Sequence, residues 1–199
     1  MFAYCNNSPA YNLDSSGKRM VCARTAMDGG FLNYVIYYSH PESQANLDNN
    51  AKQNHSSVGS RFVAVSSFDE LVNAINNTPG YVDDVFVYLH GDDEDLSFYH
   101  NLNYSAEDIQ ENLLEIKIYG DIHLFSCKGG RGALASTMAN ATNCTVVASE
   151  YKVSFGNGFA RCGWENYFWD IWNYGAHSWY SFYPDGSKSP LSYFWILTQ

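Results

Sequence analysis

Two stretches decide the fold: Val85-Phe86-Val87-Tyr88-Leu89-His90-Gly91 and Ile122-His123-Leu124-Phe125-Ser126-Cys127-Lys128-Gly129-Gly130. Each reads as a buried strand, and Val85 to Leu89 is a continuous apolar run, the pattern of a strand covered on both faces in a parallel sheet. Each ends on a reactive side chain followed by glycine. The interval between them holds one predicted helix, capped by Ser105 and carrying Ile109, Leu113 and Ile116 on one face. A single helical crossover of that kind can join two neighbouring parallel strands.

Working outward, Phe31 to Tyr38 is rich in aromatic and β-branched residues and predicts a strand, and Arg61 to Val65 a short one. Ser67 followed by Glu70 forms a capping box, and Phe68, Leu71, Val72 and Ile75 share one helical face until Thr78-Pro79-Gly80 ends the pattern. Residues 131–141 predict a further helix through Leu134, Met138 and Ala141, and Cys144 to Ser149 a further buried strand. The alternation of strand and helix predicts one α/β domain over residues 1–199, with a mostly parallel central sheet flanked by helices. Residues 1–28 are expected to be an N-terminal arm, and 39–60 a polar surface loop. Residues 151–199 form an aromatic-rich extension that adds antiparallel strands and a lid. Gly156-Asn157-Gly158 signals a hairpin within it and Tyr183-Pro184-Asp185-Gly186 a turn.

With 199 residues, 46% apolar, the chain can bury one sizeable core. Its formal net charge of −10 argues against nucleic acid or an anionic membrane surface as partner. No apolar run is long enough to span a bilayer, and residues 1–30 lack the basic-then-apolar pattern of a secretion signal. The chain is therefore expected to be soluble. The five cysteines show no C-x-x-C spacing, so no zinc site is expected, and their odd number fits a free functional thiol. No metal or cofactor is expected.

In open α/β sheets ligands bind beyond the carboxyl ends of the strands, where both His90 and Cys127 fall. A histidine and a cysteine there are the parts of a nucleophilic site. Gly91 and Gly129-Gly130 let backbone N–H groups approach a substrate oxygen. A helix starting near Arg131, together with Lys128 and Arg131, would lower the thiol pKa. The C-x5-R loop of tyrosine phosphatases is excluded, because Ala133 occupies the arginine position. An α/β-hydrolase elbow matches Cys127-Lys128-Gly129-Gly130, but Phe125 stands where that elbow needs a small residue.

The His-Gly after one buried strand and the Ser-Cys after the next resemble the caspase-like (clan CD) cysteine peptidases. A helix and a strand ending in Val146-Val147-Ala148-Ser149 follow in the same order. The chain is most similar to the self-processing peptidase domains of large bacterial toxins. The resemblance spans roughly residues 60–165, and Trp179 to Pro184 is also similar to bacterial members. It implies a three-layer caspase-like fold and a cysteine endopeptidase acting on a protein or peptide substrate, its own chain included. It further implies Cys127 as nucleophile, His90 as proton carrier, and the N–H groups of Gly91 and Cys127 as oxyanion hole. Ser149, Glu150 and Tyr151 would border the specificity pocket, with Glu150 favouring a basic residue before the cut. A bacterial effector or toxin-like role, with delivery into a target cell, follows from the same resemblance. The basic cluster of toxin domains activated by inositol hexakisphosphate is missing. The alternatives are a catalytically silent caspase-like binding domain and a thiol α/β-hydrolase acting on small esters.

The remaining candidates carry less chemistry. His123, inside a strand, is expected to be a hydrogen-bonded core residue, and His40 and His55 are expected to be solvated. His100 follows the acidic loop and could gate the site. Asp92, Asp93, Glu94 and Asp95 lack calcium-loop spacing and are expected to form a solvated loop. The aromatic stretch from Trp164 to Tyr180 is expected to pack core and lid, with a peptide or carbohydrate groove as its rival reading.

Overall fold

The computed structural model describes residues 33–40, 47–55, 59–80, 82–99, 102–156, 159–163 and 179–191, with the backbone alone for 154–156 and 159–163. The predicted N-terminal arm, His100 and residues 164–178 of the aromatic stretch lie outside the described residues.

The central sheet has seven strands. In chain order they are β1 (Asn33–Tyr38), β2 (Ser60–Val65), β3 (Asp84–Tyr88), β7 (Ile122–Phe125), β8 (Val146–Ser149), β11 (Trp179–Phe182) and β12 (Lys188–Pro190). Across the sheet they run β12-β11-β8-β7-β3-β1-β2. The five strands from β2 to β8 are parallel, and β11 and β12 add antiparallel at one edge. The strands predicted in the extension are thus present. The hairpin signalled by Gly156-Asn157-Gly158 is the antiparallel pair β9 (Lys152–Gly156) and β10 (Phe159–Gly163).

Strand alternation sorts the core onto two faces. Ile36, Val85, Val87, Ile122, Leu124, Val146 and Ala148 face one side, beneath α2 (Phe68–Asn76), α3 (Ala106–Asn112) and α4 (Leu134–Thr142). Val35, Phe86, Tyr88, Phe125 and Val147 face the other, with Ala51 of α1 (Leu47–Asn54) and Trp179 among them. Both sides of β3 and β7 are therefore covered, which is why Val85–Leu89 is continuously apolar and β7 is apolar but for His123. Strand order reverses between β1 and β3, and this switch point is where open α/β sheets place ligands.

Two local features depart from the sequence expectations. Residues 47–54 of the expected polar loop form α1, a helix holding only Leu47 and Ala51 in the core. Two buried positions in eight give too weak a period to register in a polar stretch. Between β3 and α3 the chain builds a small antiparallel sheet, β4 (His90–Gly91), β5 (Asp95–Phe98) and β6 (Leu102–Ser105). The helix caps were legible. Ser67 accepts from the Glu70 N–H at 3.3 Å, although the Glu70 carboxylate returns to Ser66 rather than to Ser67. Ser105 and Asp108 complete a reciprocal capping box. Leu113 and Ile116 are buried as expected but lie past the end of α3. Among the described residues, no helix is long and apolar enough to cross a membrane.

Candidate active site

β3 and β7 pair in parallel from Val85 opposite Ile122 to Tyr88 opposite Phe125, an offset of 37 residues. The Leu89 N–H donates to the Phe125 carbonyl at 3.2 Å, carrying the pairing one step further. His90 and Cys127 share the same 37-residue offset and each lies two residues past the last registered pair, Tyr88 opposite Phe125. Neighbouring strands run about 5 Å apart. The two chains then part, β3 turning into the hairpin of β4 and β5, and β7 into the loop that leads to α4.

The hairpin is pinned by its own first acid. The Asp92 N–H donates to the Asp95 carbonyl at 3.0 Å, and the Asp92 carboxylate accepts from the N–H groups of Glu94 and Asp95. Those two bonds, helped by the Lys128 ammonium, hold the Asp92 carboxyl below its ordinary range. Consecutive carboxylates here serve a tight turn, and no group of three metal-ligating side chains occurs among the described residues. Antiparallel ladders alternate bonded and non-bonded pairs. With Asp92 bonded to Asp95, Gly91 falls at a non-bonded pair opposite Leu96, and its N–H points away from β5.

The loop after β7 is held from the opposite side. The Lys128 N–H donates to the Tyr151 carbonyl at 2.9 Å and the Gly130 N–H to the Ser149 carbonyl at 2.8 Å. Lys128 has φ +56°, a left-handed conformation that costs a non-glycine residue about 1–2 kcal/mol. Strain of this kind concentrates at sites where geometry matters. The Cys127 N–H makes no backbone hydrogen bond among the described residues. Its half-buried thiol has the Val153 carbonyl 3.8 Å away.

The two loops interlock through glycine. A Cβ on Gly91 would overlap the Ser126 Oγ, and one on Gly132 would overlap the Asp93 carbonyl oxygen. Arg131 stands 4.0 Å from Asp93 across the same junction. The cations expected to act on the thiol are thus engaged with the acidic hairpin. α4 begins at Leu134, later than expected, and Ala133 provides no side-chain cap.

All six residues singled out by sequence lie at this end of the sheet. Ser149 is fully buried, its Oγ accepting from the Tyr151 N–H at 3.0 Å and donating to the Tyr151 carbonyl at 3.2 Å. Glu150 pairs with the Lys188 ammonium of β12 at 3.0 Å, so the carboxylate expected to attract a basic substrate residue already has a cation.

Sequence reasoning did not anticipate the surroundings of His90. The Tyr38 ring, at the end of β1, stands 5.8 Å from the imidazole at 74°. Burial pushes the His90 pKa down, favouring the neutral imidazole that a general base requires. The other histidines depart in part from expectation. His55 is buried, not solvated, with Nε2 2.8 Å from the Tyr88 hydroxyl. Burial and His123 nearby push its pKa down to about 4. His123 is in the core as expected, stacked 4.6 Å from Phe86. Its Nε2 lacks a hydrogen bond among the described residues, with Asp84 Oδ1 at 3.7 Å. His40 stacks on Tyr99 at 4.0 Å.

The chain matches no protein-family model and no curated protein sequence.

Proposed function

We propose that this chain is a cysteine endopeptidase of the caspase-like fold, with Cys127 as nucleophile and His90 as proton carrier. The observation that carries the proposal is the parallel β3–β7 register, whose last pair, Tyr88 opposite Phe125, stands two residues before His90 and Cys127. The polarity of Gly91, its N–H turned out of the β4–β5 ladder, supports an oxyanion hole shared with the Cys127 N–H.

In the proposed reaction His90 takes the thiol proton as sulfur attacks the scissile carbonyl. The carbonyl oxygen becomes an oxyanion and accepts from the Gly91 and Cys127 N–H groups. Each such donor lowers the barrier by about 3 kcal/mol. The intermediate collapses, the C–N bond breaks, and the departing amine takes the proton from His90. Water then attacks the thioester, giving one proton back through His90. The C–S bond breaks, the acid product leaves, and the thiol is restored. The substrate is a protein or peptide, and a bacterial effector or toxin-like role is the setting that fits the sequence resemblance.

The test is a peptide library derived from a proteome, incubated with the wild type and with Cys127→Ala, alongside thiol labelling mapped by mass spectrometry. Cleavage is expected from the wild type alone, with Cys127 the fastest-labelled cysteine. Equal cleavage by both proteins, with Cys127 no more reactive than Cys144, would sink the proposal. A silent wild type with an unreactive Cys127 and an intact fold would favour a binding-only domain.

A further inference from the structure

In a Cys-His site the base is commonly held in turn by a third group. Among the described residues, no carboxylate, hydrogen bond or ion pair fixes the His90 imidazole. What does meet it is a ring. Tyr38 lies at the last position of β1, next to β3 at the switch point, and its ring stands nearly perpendicular to the imidazole at 5.8 Å.

Tyr38 is itself firmly placed. Only 3% of its surface is exposed. Its hydroxyl accepts from the Tyr99 N–H at 2.9 Å, which ties the end of β1 to the end of β5. Its ring meets Phe98 edge to face at 5.5 Å. Phe98 in turn packs edge to face on Tyr104, which stacks on Phe68 of α2 at 4.1 Å. An aromatic relay thus runs from α2 through the small sheet to the candidate base, and β4 and β5, which carry His90 and Phe98, are adjacent strands of that sheet.

We propose that Tyr38 is the positioning residue for His90, its ring holding the imidazole in place and out of water where other sites use a carboxylate. This rests on the assignment of His90 above, but the contact is measurable whether or not the chain cuts peptides. The ring has two consequences. It restricts imidazole rotation through perpendicular aromatic contact, and it supplies part of the burial that keeps the imidazole neutral. Titratable or charged groups on the elements around His90 are Tyr38 and His40 at the end of β1, Tyr88 of β3, Tyr99 after β5, Tyr104 of β6, Asp92, Asp93, Glu94 and Asp95 of the hairpin, and Cys127, Lys128 and Arg131 of the β7 loop. Burial is the cause of the His90 shift.

The test compares wild type, Tyr38→Phe and Tyr38→Leu by NMR titration of the imidazole protons, with His90→Gln used to assign the resonance. His90 is expected to titrate below 6.5 in the wild type and in Tyr38→Phe, which keeps the ring and loses only the bond to Tyr99. In Tyr38→Leu the midpoint moves up toward 6.5. Where cleavage is measurable, kcat falls about tenfold or more in Tyr38→Leu, as expected for a misplaced general base, with KM little changed and recovery in Tyr38→Phe. An unmoved His90 midpoint in folded Tyr38→Leu overturns the proposal. Should Tyr38→Leu fail to fold, cross-relaxation between the Tyr38 ring and the His90 imidazole in the wild type decides it, and absence of that signal refutes the contact. A wild type without Cys127-dependent cleavage would overturn the peptidase assignment and leave the titration to judge Tyr38 on its own.

Discussion

The face of β3 and β7 that α1 covers and the turns beyond the same two strands hold similar residues in opposite circumstances. On the covered face, His55 after α1, Asp84, Phe86 and Tyr88 of β3, and His123 of β7 form a buried patch. The polar atoms there are mostly spent on one another: His55 bonds Tyr88, which also accepts from Asn54, and Asp84 accepts from the Asp121 N–H. At the ends, His90 and Cys127 are half-buried on glycine-bearing turns. The Cys127 N–H has no backbone partner among the described residues, and its thiol reaches the Val153 carbonyl at 3.8 Å. A histidine packed against the covered face is core material, whereas His90 and Cys127, on the turns past β3 and β7, stay half-buried.

The sharpest way to break this contrast is to exchange the fates of two cysteines. Cys144 sits under Ile116 and Thr142, and burial pushes its thiol up to about 11. Cys127→Ala is expected to lower cleavage by about four orders of magnitude or more, as loss of a nucleophile does in comparable sites. Cys144→Ala should leave cleavage within about twofold and cost stability through the small cavity it opens. Turnover of defined peptides and urea midpoints for both variants check this. Comparable losses of turnover would mean that burial does not separate the two thiols.

The sheet and its end were legible because the decisive residues carry local signals. Val85–Leu89 is apolar without alternation, Ile122–Phe125 is apolar but for His123, Ser67 and Ser105 announce helices, and Gly91 and Gly129-Gly130 mark the turns. The small sheet β4–β6 was not legible. Its strands are short, β4 spans only His90 and Gly91, and its acidic turn looks like any solvated run. Tyr38 was hidden for another reason. Its role depends on pairing between β1 and β3, strands whose ends lie about fifty residues apart in sequence. His55 was hidden by its polar neighbours, since nothing local shows that α1 lays it against Phe86 at 4.0 Å.

The buried patch has its own test. The folded pKa of His55 is pushed from its usual 6.5 down to about 4, so protonation opposes folding. Its contribution to stability is complete above pH 6.5, falls as the pH drops toward 4, and is gone below that. A shift of this size corresponds to about 3 kcal/mol lost across the window. The opposing pull of Asp84, which raises the His55 pKa, is already included in the direction. Urea unfolding between pH 7.5 and 4 should show this slope, and His55→Gln should flatten it. A slope unchanged in His55→Gln would place the acid sensitivity elsewhere.

The junction between the two strand ends offers a smaller effect. Gly132→Ala sets a Cβ against the Asp93 carbonyl, so the hairpin bearing His90 must lift from the loop bearing Cys127. Overpacking of this kind costs about 1–3 kcal/mol, and turnover should fall while alkylation of Cys127 by a small reagent persists. Gly186 is the control. It has φ +84° and no atom within 4 Å of an added Cβ, so Gly186→Ala should cost only backbone strain and leave turnover alone.

The least costly change probes specificity. Glu150 lies where a carboxylate would recruit a basic substrate residue, but Lys188 holds it at 3.0 Å while resting 4.9 Å over the Tyr180 ring. The pair is partly exposed, so removing it should change stability by less than about 1 kcal/mol. Lys188→Met frees the carboxylate and keeps most of the apolar stem on the ring. If Glu150 borders the substrate cleft, cleavage after Lys or Arg should then rise several-fold relative to neutral residues, and Glu150→Gln in the same background should abolish the gain. An unchanged preference in Lys188→Met would remove Glu150 from the cleft and leave it as an anchor for the sheet edge. The expected sign follows from charge alone: a neutralised carboxylate cannot select for a cation, and an unpaired one at a half-buried rim can.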